Sequence, residues 1–472
     1  MFIGRDKEKQ ELMNAYNSSE SEFVAVYGRR RVGKTYLVRQ TFKDNLTFSC
    51  SGQASGNMSN QLFGWYSSLK DAGMNGSKCP EGWLEAFDML KELIKSSQSK
   101  KKVIFIDEMP WLDTPKAGFV NAIEFFWNGW ASGRNDVLLI VCGSATSWIV
   151  NKLFKNHGGL HNRVTYRILL EPFTLNECER YCIARGLMFS RYDILELYMV
   201  LGGIPFYWSL LETGKSVAQN IDNLFFASNG KLRYEFDELY NSLFKSPQHY
   251  VTIVKALEEN KAGLTRKELI KKSKMPSSGT ISTRLSDLEH CGFIKVIPAY
   301  RNKNGSIYQL IDNFTLFYFK FMSQNVNNDD MFWSHNYLSP VRSAWVGLAF
   351  ERVCFQHIKQ IKQALGISGI VANIFCWQTG PSPQGEAGAQ IDMLIDRADN
   401  MVNICEMKFS NQEYIITNDD INNLRHKALR FSQSRGINKS INLTLITVVG
   451  LAHSAHWGEI QNVITASDLF AI

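Results

Sequence analysis

One stretch of the chain combines glycines, a lysine and a hydroxyl residue at a spacing that suits phosphate binding. It follows the apolar run FVAVY and precedes a helical pattern. The glycines let the backbone wrap closely, so that amide N–H groups and a helix N-terminus face a phosphate. Lys34 would reach the β- and γ-phosphates of a bound nucleotide, and the Thr35 hydroxyl would hold Mg²⁺. The residues predicted to bind ATP here are Gly28, Arg29, Arg30, Arg31, Val32, Gly33, Lys34, Thr35 and Tyr36.

Two carboxylates follow a second apolar run. Val103 to Ile106 are all apolar, and Asp107 and Glu108 come next, at the expected carboxyl end of a buried strand. Ligand sites in open α/β sheets form at that end. Asp107 would bind Mg²⁺ through water, and Glu108 would polarise the water that attacks the γ-phosphate. The alternative is a solvated strand end that happens to be acidic.

Composition sets the broad class of the protein. The chain has 472 residues, so two or three domains are expected, because single cores rarely exceed about 250–300 residues. The net charge of +7 permits contact with nucleic acid without requiring it. The nine cysteines show no CxxC spacing, which indicates reduced thiols rather than a zinc site. No apolar run approaches the ~18–20 residues that cross a bilayer, and the N-terminus is charged, so we expect a cytoplasmic protein that does not contact membranes.

The order of elements predicts the fold class. From Glu22 to about Leu170, short apolar runs that do not alternate with polar residues are separated by helical patterns. Strands buried on both faces have this appearance, so we predict an α/β fold with a parallel sheet and right-handed crossovers. A helix-rich stretch follows to about Phe236.

These motifs resemble those of the AAA+ and STAND P-loop ATPases. The segment Phe2–Asp6 is similar to a short N-terminal motif of that family, which implies that Gly4 and Arg5 lie beside the adenine. Ser144 directly follows the run VLLIVCG, at the family's sensor position, although that position often holds Asn or Thr. A strand-end hydroxyl is the alternative for Ser144.

Two further positions carry the same resemblance. Arg163 precedes the run VTYRILL, where the family has an arginine finger, which implies a homo-oligomer in which Arg163 completes a neighbour's site. Pro205 ends a segment similar to the Gly-x-Pro turn of the family's lid, which implies a place near the adenine. The alternatives are a surface salt bridge for Arg163 and a helix-breaking proline for Pro205.

The middle of the chain resembles a winged helix-turn-helix. Thr265 and Glu268 form the pattern of a helix-capping box, and a second helical pattern ends at Gly292. If this module binds DNA, six residues are candidates for the contact. They are Ser278, Thr280, Thr283 and Arg284 on the second helix and Arg301 and Lys303 in the wing. The alternative is a lid or scaffold that does not touch DNA.

The C-terminal segment resembles the PD-(D/E)-x-K nuclease superfamily. Glu406 and Lys408 are two residues apart, so a strand would point both to one face. A neighbouring strand could bring Asp392 beside Glu406, and Glu351 lies on an apolar helical pattern. The resemblance implies that Glu351, Asp392 and Glu406 bind Mg²⁺ and that Lys408 is catalytic. Ile391 stands where the motif has proline, and a fold used only for binding stays open.

The layout as a whole resembles a prokaryotic ATPase family found mostly in archaea. It predicts an ATPase domain at 1–173, a helical lid at 174–245 and a winged helix-turn-helix at 246–312. A linker at 313–338 and an α/β restriction-endonuclease-like domain at 339–472 complete the prediction. The resemblance implies ATP or ADP, Mg²⁺ and DNA as partners.

Two functions remain open. One is an ATP-driven switch or motor whose C-terminal module cuts or grips DNA. The other is a nucleotide-exchanging signalling ATPase that oligomerises and recruits partners without cutting anything. A kinase shares the phosphate-binding motif, but the sequence carries no recognisable phosphoacceptor pocket.

Overall fold

The computed structural model describes residues 3–75, 78–155, 158–260, 263–299, 302–382, 385–433 and 438–472. The predicted wing residue Arg301 lies outside these ranges. Contacts within the chain divide it into two compact units. The first unit comprises Met1–Pro172, Asn241–Lys245 and Ser286–Gly292, and the second comprises Phe173–Tyr240, Ser246–Leu285 and Phe293–Ile472.

Up to residue 172 the chain alternates strands and helices. The strands are β1 Glu22–Tyr27, β2 Leu46–Ser51, β3 Lys102–Asp107, β4 Val137–Gly143 and β5 Tyr166–Leu169. The helices are α1 Asp6–Asn17, α2 Lys34–Thr41, α3 Met58–Asp71, α4 Trp83–Ser96, α5 Phe119–Gly129 and α6 Thr146–Ile149.

The five strands of the first unit form one parallel sheet. Their order is β2-β3-β4-β1-β5, so β4 lies between β1 and β3. Every residue of β4 is buried, which explains why its sequence is a continuous apolar run. Aromatic rings from α3, α4 and α5 pack together on the sheet. The rings of Trp65 and Trp83 meet edge to face, with 5.5 Å between their centroids. The predicted α/β fold with a parallel sheet is confirmed.

The remainder of the chain begins with helices and ends in a mixed sheet. The helices before residue 340 are α7 Leu175–Arg185, α8 Arg191–Leu201, α9 Pro205–Trp208, α10 Val217–Ile221, α11 Glu235–Leu243, α12 Pro247–Glu258, α13 Arg266–Ser273, α14 Gly279–His290, α15 Asn313–Lys320 and α16 Phe332–His335. The later helices are α17 Pro340–Gln356, α18 Ile358–Ala364, α19 Asn418–Gln433 and α20 Ala466–Leu469. The strands are β6 Leu264–Thr265, β7 Ile294–Ala299, β8 Asn302–Leu310, β9 Ala372–Thr379, β10 Ala389–Arg397, β11 Met401–Lys408, β12 Ser440–Thr447 and β13 Asn462–Ile464.

These eight strands form a single sheet in the second unit. Its order is β13-β12-β11-β10-β9-β7-β8-β6, and β7 meets β9 through the pair Ala299 and Cys376. Strands β9, β10 and β11 are antiparallel neighbours, whereas β12 runs parallel to β11. The sheet therefore runs through both segments predicted as separate modules, 246–312 and 339–472, and the predicted domain boundaries stay predictions.

Capping side chains fix several helix starts in the second unit. The capping box predicted for α13 is present: the Glu268 N–H donates to the Thr265 hydroxyl at 3.3 Å. In return, the Glu268 carboxylate accepts from the Thr265 N–H at 2.8 Å. Such a pair satisfies two of the N–H groups that a helix start leaves without a helical partner. It therefore fixes where α13 begins.

A buried histidine holds the start of α7. The side chain of His357 is buried, and its Nε2 accepts a hydrogen bond from the Leu175 N–H at 3.0 Å. Nδ1 must then carry the proton, and it donates to the Val353 carbonyl at 2.8 Å. Burial lowers the pKa of His357 to about 4. The neutral ring thus satisfies both contacts, and a second proton would break the bond to Leu175.

We predict that His357 makes the stability of the second unit depend on pH. Its folded pKa lies below the ordinary value of 6.5, so this contribution is complete above pH 6.5 and is lost as the pH falls toward 4. The linkage amounts to about 2 kcal/mol between pH 7.5 and pH 5. Urea-unfolding midpoints at the two pH values should therefore differ less in His357→Gln than in the wild type. The exposed His249 provides the control, because His249→Gln should keep the wild-type difference. An unchanged pH dependence in His357→Gln would contradict the assignment.

Candidate nucleotide-binding site

Three neighbouring strands of the first unit end at one edge of the sheet. The glycine loop (Gly28–Gly33) leaves β1 there, Asp107 ends β3, and Ser144 follows β4. Because the strands are parallel and β4 separates β1 from β3, these segments meet although they are far apart in sequence. The fold therefore assembles a site from the residues that the two motifs predicted.

The glycine loop has a backbone that ordinary residues rarely adopt. Gly28 has φ +137°, Gly33 has φ +94°, and Arg31 lies in the left-handed region at φ +70°. Helix α2 begins directly afterwards at Lys34, with Gly33 as its cap residue. A Cβ on Gly33 would meet nothing within 4 Å, so this part of the loop is open. The turn leaves main-chain N–H groups and a helix N-terminus available to an anion.

The Lys34 ammonium group lies inside the curve of the glycine loop. Its Nζ donates to the carbonyl oxygens of Gly28 at 2.9 Å and Arg29 at 2.8 Å, and the residue is only 5% exposed. Burial lowers the pKa of Lys34, although nearby Cys142 and the carboxylates of Glu108 and Asp107 oppose that shift. An anion beside this group would favour its charged form.

Asp107 is held by three donors. Its Oδ2 accepts a hydrogen bond from the Thr35 hydroxyl at 2.8 Å. Its Oδ1 accepts from the Glu108 N–H at 2.9 Å and from the Cys142 thiol. Burial raises the pKa of Cys142 well above the ordinary value, so the thiol keeps its proton and acts as a donor. Cys142 was not predicted from the sequence, because nothing in its apolar run distinguishes it from its neighbours.

Glu108 is bonded to the residue predicted as a sensor. Its Oε2 accepts from the Ser144 N–H at 3.2 Å and from the Ser144 hydroxyl at 3.0 Å. The Glu108 backbone is left-handed, with φ +43°, which is uncommon for a residue with a side chain. The arrangement orients one oxygen of the carboxylate toward the end of β4.

The donor set fits a hard divalent cation. A hydroxyl and a carboxylate, from Thr35 and Asp107, lie within hydrogen-bond distance of each other at the open edge of the sheet. Oxygen ligands of this kind are those that Mg²⁺ takes beside nucleotide phosphates. The residues present therefore fit the predicted pairing of ATP with Mg²⁺.

Arg5, predicted to lie near the adenine, contacts main-chain oxygens within the first unit, and its predicted place beside the base stays a prediction. It is 6% exposed and donates to the Glu171 carbonyl at 2.6 Å and to the Val32 carbonyl at 3.4 Å. Gly4 precedes it with φ +68°. Tyr36, also predicted at the site, is 50% exposed on α2. Arg29 and Val32 are buried, whereas Arg30 and Arg31 are half-buried.

Two predicted site residues are not at this edge of the sheet: Arg163 lies at the opposite edge, and Pro205 lies in the second unit. Arg163 is exposed in the turn before β5. Since β5 runs parallel to β1, that turn lies at the edge where β1 begins, opposite the glycine loop. Pro205 is the first residue of α9 in the second unit. The predicted roles of both residues stay predictions.

The predicted residues of the C-terminal segment lie in the second unit, on α17 and at the paired strands β10 and β11. Asp392 and Glu406 are each one residue beyond the pair Met393 and Cys405, which places them side by side on adjacent strands. Glu351 is half-buried on α17. Across the ranges that the structure describes, no group of three or more His, Cys, Asp or Glu side chains could hold a metal ion. The structure therefore does not assemble Glu351, Asp392 and Glu406 into an ion site.

Lysines surround Glu406 instead. Lys408 Nζ lies 3.3 Å from Glu406 Oε1, and Lys427 Nζ lies 2.7 Å from Oε2. Lys408 also lies 3.4 Å from Asp420 on α19. Burial alone would lower the pKa of Lys408, but the carboxylate of Glu406 and the other nearby anionic groups raise it overall. Lys427 and Asp420 were not predicted, because the packing of α19 beside β11 is a long-range contact.

Within the residues that the structure describes, no helix combines the length and apolar character needed to span a bilayer.

Comparisons with known proteins find similarity in the first part of the chain. Residues 2–211 match the model of a family described as an ATPase domain predominantly from archaea. An uncharacterized protein of Methanocaldococcus jannaschii is 23% identical over 376 residues, which span 77% of this chain and 78% of that protein. An uncharacterized ATP-binding protein of the same organism is 40% identical over 40 residues, which span 8% of this chain and 68% of that protein.

A solved structure supports the fold. The Walker-type ATPase of Pyrococcus abyssi superposes with a TM-score of 0.51 at 18% identity, covering 67% of this chain and 95% of that one. At this identity the likeness concerns the fold alone. Residues 2–211 of this chain are therefore similar to the ATPase domains found predominantly in archaea.

Proposed function

We propose that the chain binds ATP with Mg²⁺ at the glycine loop and hydrolyses its γ-phosphate. The observation that supports this most is the connected set of hydrogen bonds from Thr35 through Asp107 and Glu108 to Ser144, with the Lys34 ammonium beside it. These groups lie at the carboxyl edge of the sheet, where a nucleotide could reach all of them. The family of the first 211 residues supports the same reaction.

Each residue has a definite task in this proposal. Lys34 and the loop N–H groups bind the phosphates. The Thr35 hydroxyl would hold Mg²⁺, and Asp107 would hold it through water. The bound ion supplies neutralisation of phosphate charge. Glu108 orients the attacking water and polarises its O–H bond, while Ser144 fixes the carboxylate of Glu108. Gly4 lies beside the adenine, and Arg163, which is exposed, acts on the site of a second copy of the chain.

We predict that Lys34→Ala and Glu108→Gln affect different steps. Loss of the ammonium group should weaken ATP binding by about 10- to 100-fold, since hydrogen bonds to charged groups contribute roughly 1.5–3 kcal/mol. Glu108→Gln should lower kcat by about 10²- to 10⁴-fold with nearly unchanged ATP binding. Calorimetry with Mg·ATP and a phosphate-release assay separate the two effects.

Lys101 provides a matched control for Lys34. It is also buried, at 7% exposure, and its ammonium group donates to the main-chain carbonyls of Ser18, Glu20 and Asn135. It precedes β3 and so lies at the opposite edge of the sheet. Lys101→Ala should lower the melting temperature but leave ATP affinity unchanged. Equal turnover in wild type, Lys34→Ala and Glu108→Gln would refute the site.

We further propose that the second unit acts on or with DNA. Helices α12, α13 and α14 followed by the hairpin β7–β8 have the order of a winged helix-turn-helix, and Thr280 and Thr283 are exposed on α14. After them, helix α17, antiparallel strands β9 to β11, helix α19 and parallel strand β12 follow the order expected of a nuclease-like core. Glu406 and Lys408 share one face of β11.

Two forms of this second proposal differ in chemistry. In the first, the C-terminal segment cleaves DNA with Mg²⁺, using Asp392, Glu406 and Lys408. In the second, it is a silent binding module of a nucleotide-switched signalling protein. The two lysines that bind Glu406 favour the second form, because they neutralise the carboxylate that a cation would need.

We predict that plasmid incubated with the protein, Mg²⁺ and ATP distinguishes these forms. Nicking that disappears in Lys408→Ala would support cleavage by this site. Lys439 is the control: it is ion-paired with Asp396 but precedes β12, at the opposite end of the strand pair from Lys408. Lys439→Ala should retain wild-type behaviour. The silent form predicts no nicking by the wild type, and nicking that survives Lys408→Ala would exclude this site as its source.

A further inference from the structure

Both ends of the glycine loop lie against the chain that leaves β5. At the start of the loop, a Cβ on Gly28 would lie 2.4 Å from the Leu170 carbonyl oxygen, so only glycine allows this approach. The Leu170 N–H donates to the Tyr27 carbonyl at 2.7 Å. The main chain of residues 27 and 28 is therefore packed directly against residue 170.

Arg5 makes the corresponding connection near the other end of the loop. One guanidinium nitrogen, Nη2, donates both to the carbonyl of Val32 and to the carbonyl of Glu171, the residue after Leu170. These acceptors are 27 and 166 residues from Arg5 in sequence. The side chain thus ties the loop to the same segment that excludes a side chain at Gly28.

The surroundings of Arg5 hold its side chain in this position. Its backbone is left-handed, with φ +62°, and it serves as the cap residue of α1. Glu8 Oε1 lies 3.9 Å from Nη1. A buried guanidinium group is stable only if its N–H groups find acceptors, so the contacts with the two carbonyls fix its place.

We propose that Arg5 is a positioning residue, which holds the glycine loop in its phosphate-binding shape by joining Val32 to Glu171. This inference rests on the proposed binding of ATP. The loop contains strained residues, including Arg31 at φ +70°, and such backbone persists only where the surroundings over-determine it. Arg5 contributes that constraint. Arg5 therefore affects how the loop binds the phosphates of the ligand, and it does not recognise the base.

The experiment compares ligands that share the phosphates but differ in the base. Dissociation constants for Mg·ATP, Mg·GTP and Mg·tripolyphosphate are measured by calorimetry or by competition with a fluorescent ATP analogue. Arg5→Ala should weaken all three by a similar factor of roughly 10-fold, because each ligand then meets a loop that is less often in its binding shape, and leave the ATP-to-GTP ratio unchanged. Loss of ATP affinity with an altered ratio, or with unchanged tripolyphosphate binding, would overturn the proposal.

Two further variants keep the result interpretable. Arg5→Lys retains the charge and the burial, and it should show a smaller loss of the same pattern even if Arg5→Ala fails to fold. Arg134 forms a two-pronged ion pair with Asp136 at the opposite edge of the same unit, so Arg134→Ala should bind all three ligands as the wild type does. Melting temperatures verify folding.

The outcomes also separate this inference from the proposed function. If the wild type binds no Mg·ATP, both are wrong. If the wild type binds Mg·ATP and both Arg5 variants bind it equally well, only the positioning role is wrong.

Discussion

The enclosure of the Lys34 ammonium group is the interaction on which the site depends. A buried charge is unfavourable unless acceptors surround it, and here the acceptors are the carbonyls of Gly28 and Arg29. The loop curls around the ammonium group to supply them, and it leaves main-chain N–H groups available to an anion. Burial lowers the lysine pKa, and an anionic ligand beside the ammonium group would favour its charged form. The same geometry that stabilises the lysine thereby prepares the loop for phosphate.

The strand order extends this arrangement across the sheet. Because β4 lies between β1 and β3, its last residues separate the glycine loop from Asp107. Near the end of β4, the buried Cys142 thiol donates to Asp107, and the hydroxyl of Ser144, which is also buried, donates to Glu108. One strand therefore orients both carboxylates of the neighbouring strand end. A rigid parallel sheet keeps these distances constant, as a site that binds a cation and orients water requires.

The sequence predicted those parts of the site whose chemistry lies in contiguous residues. The segment from Gly28 to Thr35 and the pair Asp107 and Glu108 are recognisable because each follows an apolar strand directly. Cys142 and the contacts of Arg5 could not be predicted, because both depend on which strands are neighbours and on main-chain oxygens that any residue carries. Resemblance singled out Arg5 as a residue near the adenine, which stays a prediction, whereas its guanidinium group contacts the carbonyls of Val32 and Glu171. The parallel sheet followed from its apolar runs, whereas the joining of β7 to β9 had no local signal.

That joining constrains how the second unit could work. Strand β7 pairs with β8 and, through Ala299 and Cys376, with β9. The Cys376 thiol in turn donates to the main-chain carbonyl of Asp392 at 3.0 Å. A displacement of the hairpin relative to β9 would therefore disturb the backbone that carries a carboxylate predicted to act on DNA. Since packed interiors resist small displacements, segments 246–312 and 339–472 are mechanically linked through this strand pair. A displacement in either segment would therefore be transmitted to the other through the shared eight-stranded sheet.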